Sequence, residues 1–271
     1  MPARDRVADW LRARLPGEVA YDVTRWKNVL FSMAFFTYAR RFPAHAKSLL
    51  VGQVRRALGR DVDVGTHFTP RYNPWDQRLC LVPDGDLFEA LRGGRASVVT
   101  DHIETFTEKG ILLKSGQEIE ADLIVTATGL KLKFLGGVEV EVDGRRVDPS
   151  TLMAYKGMMF SDVPNLAVAI GYTNASWTLK CDLTCEYVCR LLQHMDRHGY
   201  TTCRPHHDDP AEKGEPLLDF TAGYVLRAID QFPRQGARAP WRVYQNYALD
   251  RRALRDAPVD DGVMQFSKAR P

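Results

Sequence analysis

Asp122-Leu123-Ile124-Val125-Thr126-Ala127-Thr128-Gly129 sets the fold class. Leu123-Ile124-Val125 is apolar without alternation, which suits a strand covered by helices on both faces, as in α/β proteins. Gly129 closes the run, and Ala127-Thr128-Gly129 taken alone means no more than a strand-ending turn. Leu166 to Ile170 has the same character and leads through Gly171 and a turn into a helical pattern from about Trp177 to His198. Strand, glycine turn and helix in that order aim helix N–H groups at a ligand above a sheet edge. Upstream, Val98-Val99, Ile103 to Thr107 and Ile111 to Lys114 read as strands, the last two as a hairpin around Lys109-Gly110.

The residues before these strands read as helix. Val7, Trp10, Leu11 and Leu15 fall at helix spacing up to Pro16-Gly17, and Asp5 and Asp9 interrupt the positive run that a transit peptide would carry. Trp26, Leu30, Met33 and Tyr38 mark one helical stripe, and Leu50, Val54 and Leu58 mark another beyond a break at Pro43. Residues 61 to 85 are rich in Pro, Asn and aromatics and cannot sustain helix, so they read as a long ordered loop of the kind that often carries function. Asp86 is placed to cap a short helix ended by Gly93-Gly94. The tail from Thr201 onward is rich in Pro and charge and sets no clear period.

A chain of 271 residues, 45% hydrophobic and 26% charged, is long enough for a sizeable core and is not of disordered composition. Thirty-seven Lys and Arg against 34 Asp and Glu leave +3, which points to neither nucleic acid nor an anionic membrane. No apolar run approaches the roughly 20 residues of a transmembrane helix. The 20 glycines never fall two apart, so the chain holds no Gly-x-Gly, and no Gly-Lys pair for a Walker loop. Five cysteines, odd in number and irregular in spacing, fit a reducing cytoplasm rather than a disulfide framework.

Cys181, Cys185 and Cys189 recur every four residues and raise the question of a metal, as do His194 and His198. At about 100° per residue the cysteines lie near about 0°, 40° and 80° and the histidines near about 220° and 260°, facing opposite ways. The expectation is no metal site, with buried cysteines acting as small hydrophobes and solvated histidines. Arg78, in Trp75-Asp76-Gln77-Arg78-Leu79-Cys80, sits where the loop meets a short apolar run, and composition alone leaves it a salt-bridge or phosphate contact as readily as a catalyst.

Four segments carry more together than apart: Tyr72 to Pro83, Asp122 to Gly129, Met153-Ala154-Tyr155-Lys156-Gly157-Met158, and Gly171-Tyr172-Thr173-Asn174-Ala175-Ser176-Trp177-Thr178-Leu179. In that order they resemble the class B flavoprotein monooxygenases, and within them the Baeyer–Villiger group, over nearly the whole chain but only over the C-terminal half or so of a family member. The resemblance implies an α/β fold made of the C-terminal parts of two dinucleotide-binding (Rossmann-like) domains plus a helical insertion. Residues 1–76 would be the insertion and its loop, 77–130 the returning part of the NADPH-binding domain, and 131–271 the returning part of the FAD-binding domain with a tail. The two Gly-x-Gly-x-x-Gly motifs and the Phe-x-Gly-x-x-x-His-x-x-x-Trp linker of the family do not occur in this chain.

The resemblance further implies FAD and NADPH as cofactors, with O2 and a small ketone, sulfide or thioamide as substrates. In that family, NADPH reduces the flavin, oxygen adds at its C4a carbon, and the peroxide is held near an arginine before one oxygen atom passes to the substrate. Arg78 matches that arginine, and a guanidinium that never loses its proton suits an anionic peroxide. Gly171, Asn174, Ser176, Trp177 and Thr178 match the turn and helix start that face the flavin ring, with Tyr172 and Trp177 as wall candidates. Ala127, Thr128 and Gly129 match a second dinucleotide-associated motif. Two readings follow: an FAD- and NADPH-dependent monooxygenase, or the C-terminal portion of one completed by a separately encoded N-terminal half; and a truncated non-catalytic piece of such an enzyme, inactive alone.

Overall fold

The computed structural model describes residues 4–209, 211–218 and 220–268. The outer ends of the expected ranges 1–76 and 131–271, at residues 1–3 and 269–271, therefore lie outside the described residues. The chain divides into two units, Met1–Thr24 with Thr37–Leu130, and Arg25–Phe36 with Lys131–Pro271. Among the described residues no helix is long and apolar enough to cross a membrane.

The first unit begins with α1 (Arg6–Arg12), whose N-terminal N–H groups at Val7 and Ala8 donate to the Asp5 carboxylate. α2 (Gly17–Arg41) starts after Pro16 and gives its two ends to this unit and residues 25–36 to the other. Pro43 opens α3 (Pro43–Leu58), which ends at Gly59 with φ 80°. Within the loop expected over 61–85 lie one turn of helix, α4 (Val64–His67), capped by Asp63, and a 3-10 turn at Pro83–Gly85. α5 (Asp86–Arg92) follows with Gly85 rather than Asp86 at its cap position. Leu58, Val64 and Leu91 form a small core, with Val51, Val54, Phe68 and Phe88 packed against it.

The expected hairpin is present as β1 (Ile103–Phe106) and β2 (Gly110–Leu113), and β3 (Glu118–Glu120) extends it to an antiparallel sheet in the order β1-β2-β3. Gly110 is required there, because a Cβ at this position would lie 2.0 Å from the carbonyl oxygen of Ile119. Two other expectations fail: Val98-Val99 and Leu123 to Thr128 run without strand pairing. Leu123 is 82% exposed and Val125 79%, although their sequence is that of a doubly covered strand. A strand needs a neighbour on its ladder, and no segment of this chain takes that place among the described residues.

The second unit contains β4 (Glu141–Val142) paired with β5 (Arg145–Arg146), and β6 (Ala154–Tyr155) paired with β7 (Met159–Phe160). α6 (Trp177–His198) follows at the position the sequence predicts, closed by Gly199 in the left-handed region. After it come β8 (Thr202–Pro205), β9 (Glu215–Pro216), α7 (Gly223–Leu226), β10 (Arg234–Gln235), α8 (Tyr247–Arg251) and β11 (Met264–Ser267). β10 pairs with β9 and β11 with β8, all antiparallel. Leu166 to Ile170 also forms no ladder; Leu166 and Val168 pack on a core with Phe160 and Val163, while Ala167 and Ala169 are exposed.

The main core lies on one face of α6, where Leu183, Tyr187, Leu191 and Met195 meet Val29, Tyr155, Met158, Met159, Leu254 and Met264. This places the cysteines opposite to expectation. Cys185 and Cys189 are exposed and Cys181 half-buried, because the face that packs is centred on Tyr187, more than a quarter turn away. His194 is half-buried in a ring cluster with Tyr200 and Phe266, and His198 is exposed. All five cysteines are free, and among the described residues no group of three or more His, Cys, Asp or Glu is arranged to hold a metal ion.

Candidate functional site

In the first unit, Asn73-Pro74-Trp75-Asp76 folds into a tight turn that sets the approach to Arg78. The Asp76 amide donates to the Asn73 carbonyl, the Asp76 carboxylate accepts from the Asn73 amide at 3.0 Å, and Trp75 takes a left-handed conformation with φ 66°. Arg40 pairs with the same carboxylate at 3.1 Å. Arg78 itself is exposed, and among the described residues its guanidinium has no ion-pair partner. Ala127, Thr128 and Gly129 are exposed in the irregular segment after Val125, with Gly129 at φ 108°. Among the described residues no hydrogen bond or ion pair joins them to Arg78.

In the second unit, Gly171, Asn174, Ser176, Trp177 and Thr178 come together at the start of α6. Gly171 is buried, and a Cβ there would stand 2.2 Å from Cγ of Trp177, so only glycine lets the indole fold back over the turn. Trp177 keeps 53% of its surface exposed. Ser176 occupies the cap position, yet its hydroxyl lies 2.8 Å from that of Thr178 instead of capping an amide, and the first turn carries no acidic residue. Asn174 donates its side-chain amide to the Gln245 carbonyl at 2.9 Å, while its Oδ1 is buried with no hydrogen-bond partner among the described residues. An uncapped helix start with an orphan side-chain oxygen suits a ligand that brings both acceptors and a donor.

Beneath the turn lies a buried ionic group that the motif reading missed. Lys180, 3% exposed, pairs with Asp250, 5% exposed, at 3.1 Å, and also donates to the Lys156 carbonyl at 3.2 Å. The Tyr172 hydroxyl donates to Asp250 at 2.7 Å. A second cluster adjoins it: Lys156 pairs with Asp261 at 3.0 Å, and the Tyr155 hydroxyl donates to Asp261 at 2.6 Å and lies 3.2 Å from that of Tyr187. Burial raises all three tyrosines above the ordinary phenol range. Burial also lowers Lys156 and Lys180, opposed by Asp261 and Asp250 respectively. For Asp261 burial alone would raise the carboxyl, but the Tyr155 hydroxyl and the Lys156 ammonium outweigh it and hold the group below its usual value. A cleft of about 20 Å³, room for one water, is lined by Gly157, Gly171, Tyr172, Lys180 and Gln245 among others.

Lys180 had a signal in the sequence. It lies on the same helical face as Leu183, Tyr187 and Leu191, and a lysine in the middle of an apolar face implies a buried counter-charge. Asp250, Asp261 and Gln245 had none, since they lie in the tail without a period and act across 70 or more residues of sequence.

No protein-family model matches the chain. Among known proteins it is similar to the FAD-containing monooxygenase EthA of Mycobacterium tuberculosis, 49% identical over 267 residues, 98% of this chain and 55% of that protein. The probable FAD-binding monooxygenase AlmA of Acinetobacter baylyi is 48% identical over 269 residues, 99% of this chain and 54% of that protein. Among solved structures, an oxidized steroid monooxygenase bound to NADP shares the fold with a TM-score of 0.66 at 18% identity, over 99% of this chain and 54% of that one. The chain spans about half the length of the curated relatives it matches, and over that span it is a homologue of the FAD-containing monooxygenases.

Proposed function

We propose that this chain supplies about half of an FAD- and NADPH-dependent monooxygenase that places one oxygen atom of O2 into a ketone or onto a sulfide or thioamide sulfur, and that it acts only together with the other half, carried on the same or a separate polypeptide. The observation that carries this is identity of 48–49% over 98–100% of the chain against only 54–55% of each relative. The exposed strand-like residues Leu123 and Val125 support it, since an apolar segment of that kind is a template for a partner strand. In this reading residues 77–130 belong to the NADPH-binding domain and 131–271 to the FAD-binding domain, and five free cysteines suit a reducing cytoplasm.

FAD, when bound, supplies the two-electron chemistry that activates O2. The chain's own residues provide charge and orientation. Gly171 with the uncapped start of α6 offers backbone N–H groups to an anionic or acceptor edge, and Asn174 Oδ1 offers an acceptor. Trp177 walls the turn. Arg78 holds a permanent positive charge for an oxygen anion, a task that a lysine would perform without the planar fork. Ala127, Thr128 and Gly129 provide an exposed backbone for a dinucleotide.

The test uses the chain joined to the portion of the M. tuberculosis EthA sequence that it does not match, assayed for oxygenated product from a ketone and a thioamide. The expected result is product formation with NADPH, lost in Arg78→Ala while flavin is retained. Near-normal product from Arg78→Ala sinks the role given to Arg78, and flavin-loaded protein that forms no product from either substrate sinks the oxygenation reading.

A further inference from the structure

The start of α6 is not held by its own cap; it is held from the far end of the chain. Gln245 makes three hydrogen bonds to it: its Oε1 accepts from the Thr173 amide at 2.9 Å and the Thr173 hydroxyl at 3.0 Å, and its carbonyl accepts from Asn174 Nδ2 at 2.9 Å. Gln245 adopts φ 37°, a left-handed conformation that a residue with a side chain keeps only when its surroundings fix it. Asn246 then caps α8 by accepting from the amides of Ala248 and Leu249, which brings Asp250 round to the Tyr172 hydroxyl and to Lys180 in the first turns of α6. Residues 245–250 thus bond to Tyr172, Thr173 and Asn174 in the turn and to Lys180 in the first turn of α6.

We infer that residues 245–250 form a positioning strap, in which Gln245 fixes the backbone of the Gly171–Thr178 turn and Asp250 fixes Tyr172 and Lys180, so that the uncapped N–H groups of α6 are preorganised for their ligand. The ligand's identity as FAD rests on the reading above; the strap itself does not. Gln245 and Asp250 are positioning residues, since neither is assigned any contact with a ligand.

Hydrogen exchange at the Thr173 amide of this chain, without flavin, tests the strap. Gln245→Ala is expected to speed exchange there by about tenfold, with the unfolding midpoint of the rest of the unit unchanged. Gln245→Glu is expected to restore slow exchange, because a carboxylate oxygen accepts the same two bonds from Thr173. Unchanged exchange in Gln245→Ala, or a Gln245→Glu variant as fast as Gln245→Ala, overturns the proposal. Should Gln245→Ala fail to fold, Tyr172→Phe removes the hydroxyl bonded to Asp250 and is expected to speed exchange at the Thr173 amide; no change in that variant counts against the strap. In the joined protein, Gln245→Ala is also expected to weaken FAD binding about tenfold and Gln245→Glu to recover it. If the joined protein binds no FAD while the exchange results hold, the flavin assignment falls and the strap stands.

Discussion

Replacing Asp250 with alanine removes the carboxylate that, among the described residues, pairs with Lys180 and leaves the ammonium 3% exposed beside the main core of the second unit. An exposed ion pair is worth about 1 kcal/mol or less, whereas stranding one partner of a buried pair costs about 3–5 kcal/mol. The Tyr172 hydroxyl, which donates to the same carboxylate at 2.7 Å, loses its acceptor as well and adds to the loss. The Lys156 carbonyl at 3.2 Å remains as an acceptor for Lys180 and offsets part of it. The net expectation is about 4 kcal/mol, or a fall in Tm of roughly 8–16 °C for a unit of this size. Lys180→Met keeps the length of the stem and removes the charge, so the double variant Lys180→Met with Asp250→Ala is expected to cost less than the sum of the two single changes, by about 2–3 kcal/mol. Urea unfolding followed by far-ultraviolet dichroism measures all four proteins, read as midpoint shifts at constant slope. A cost below about 1 kcal/mol for Asp250→Ala, or strict additivity in the cycle, refutes the assignment of this pair as a buried, mutually dependent one.

Three further outcomes are expected. Asp261 is held below its usual value of 3.8, so its folded carboxyl binds fewer protons than the unfolded one; its contribution is present at neutral pH and fades as pH falls through 3.8 toward the folded value. Urea midpoints measured from about pH 5 to pH 2 should therefore fall more steeply for the parent chain than for Asp261→Asn, and parallel curves contradict this. Gly171→Ala drives a Cβ into the Trp177 ring and should cost about 1–3 kcal/mol with a displaced indole emission; unchanged emission and stability contradict the packing. Leu123→Asp with Val125→Asp should change the stability of the chain alone by less than about 0.5 kcal/mol for each site, because both are exposed, yet prevent association with the complementary portion of a relative in size-exclusion chromatography.

What the sequence discloses and what it hides divide along a physical line. Local signals were sufficient for α6, bounded by Trp177 and by Gly199, and for the hairpin around Lys109-Gly110, since spacing and turn chemistry act within a few residues. The runs at Leu123 to Thr128 and Leu166 to Ile170 carry the composition of buried strands, but pairing is a property of two segments, and the structure leaves both unpaired. The cysteine stripe was assigned to the wrong face because angle arithmetic gives relative directions and not which direction packs; Tyr187 and Leu191 decide that. The glycine turn at Gly171 was legible from its motif, while the strap from Gln245 to Asp250 was not, since it joins residues more than 70 apart in sequence.

FAD content decides whether this chain holds one part of a flavin site and needs the other. The chain is purified alone and, in parallel, joined to the portion of the M. tuberculosis EthA sequence that it does not match, and each is measured for visible flavin absorbance and NADPH oxidation. A colourless, NADPH-inert chain and a yellow joined protein that oxidises NADPH are expected. Stoichiometric FAD with substrate-dependent oxygen uptake in the chain alone would contradict this.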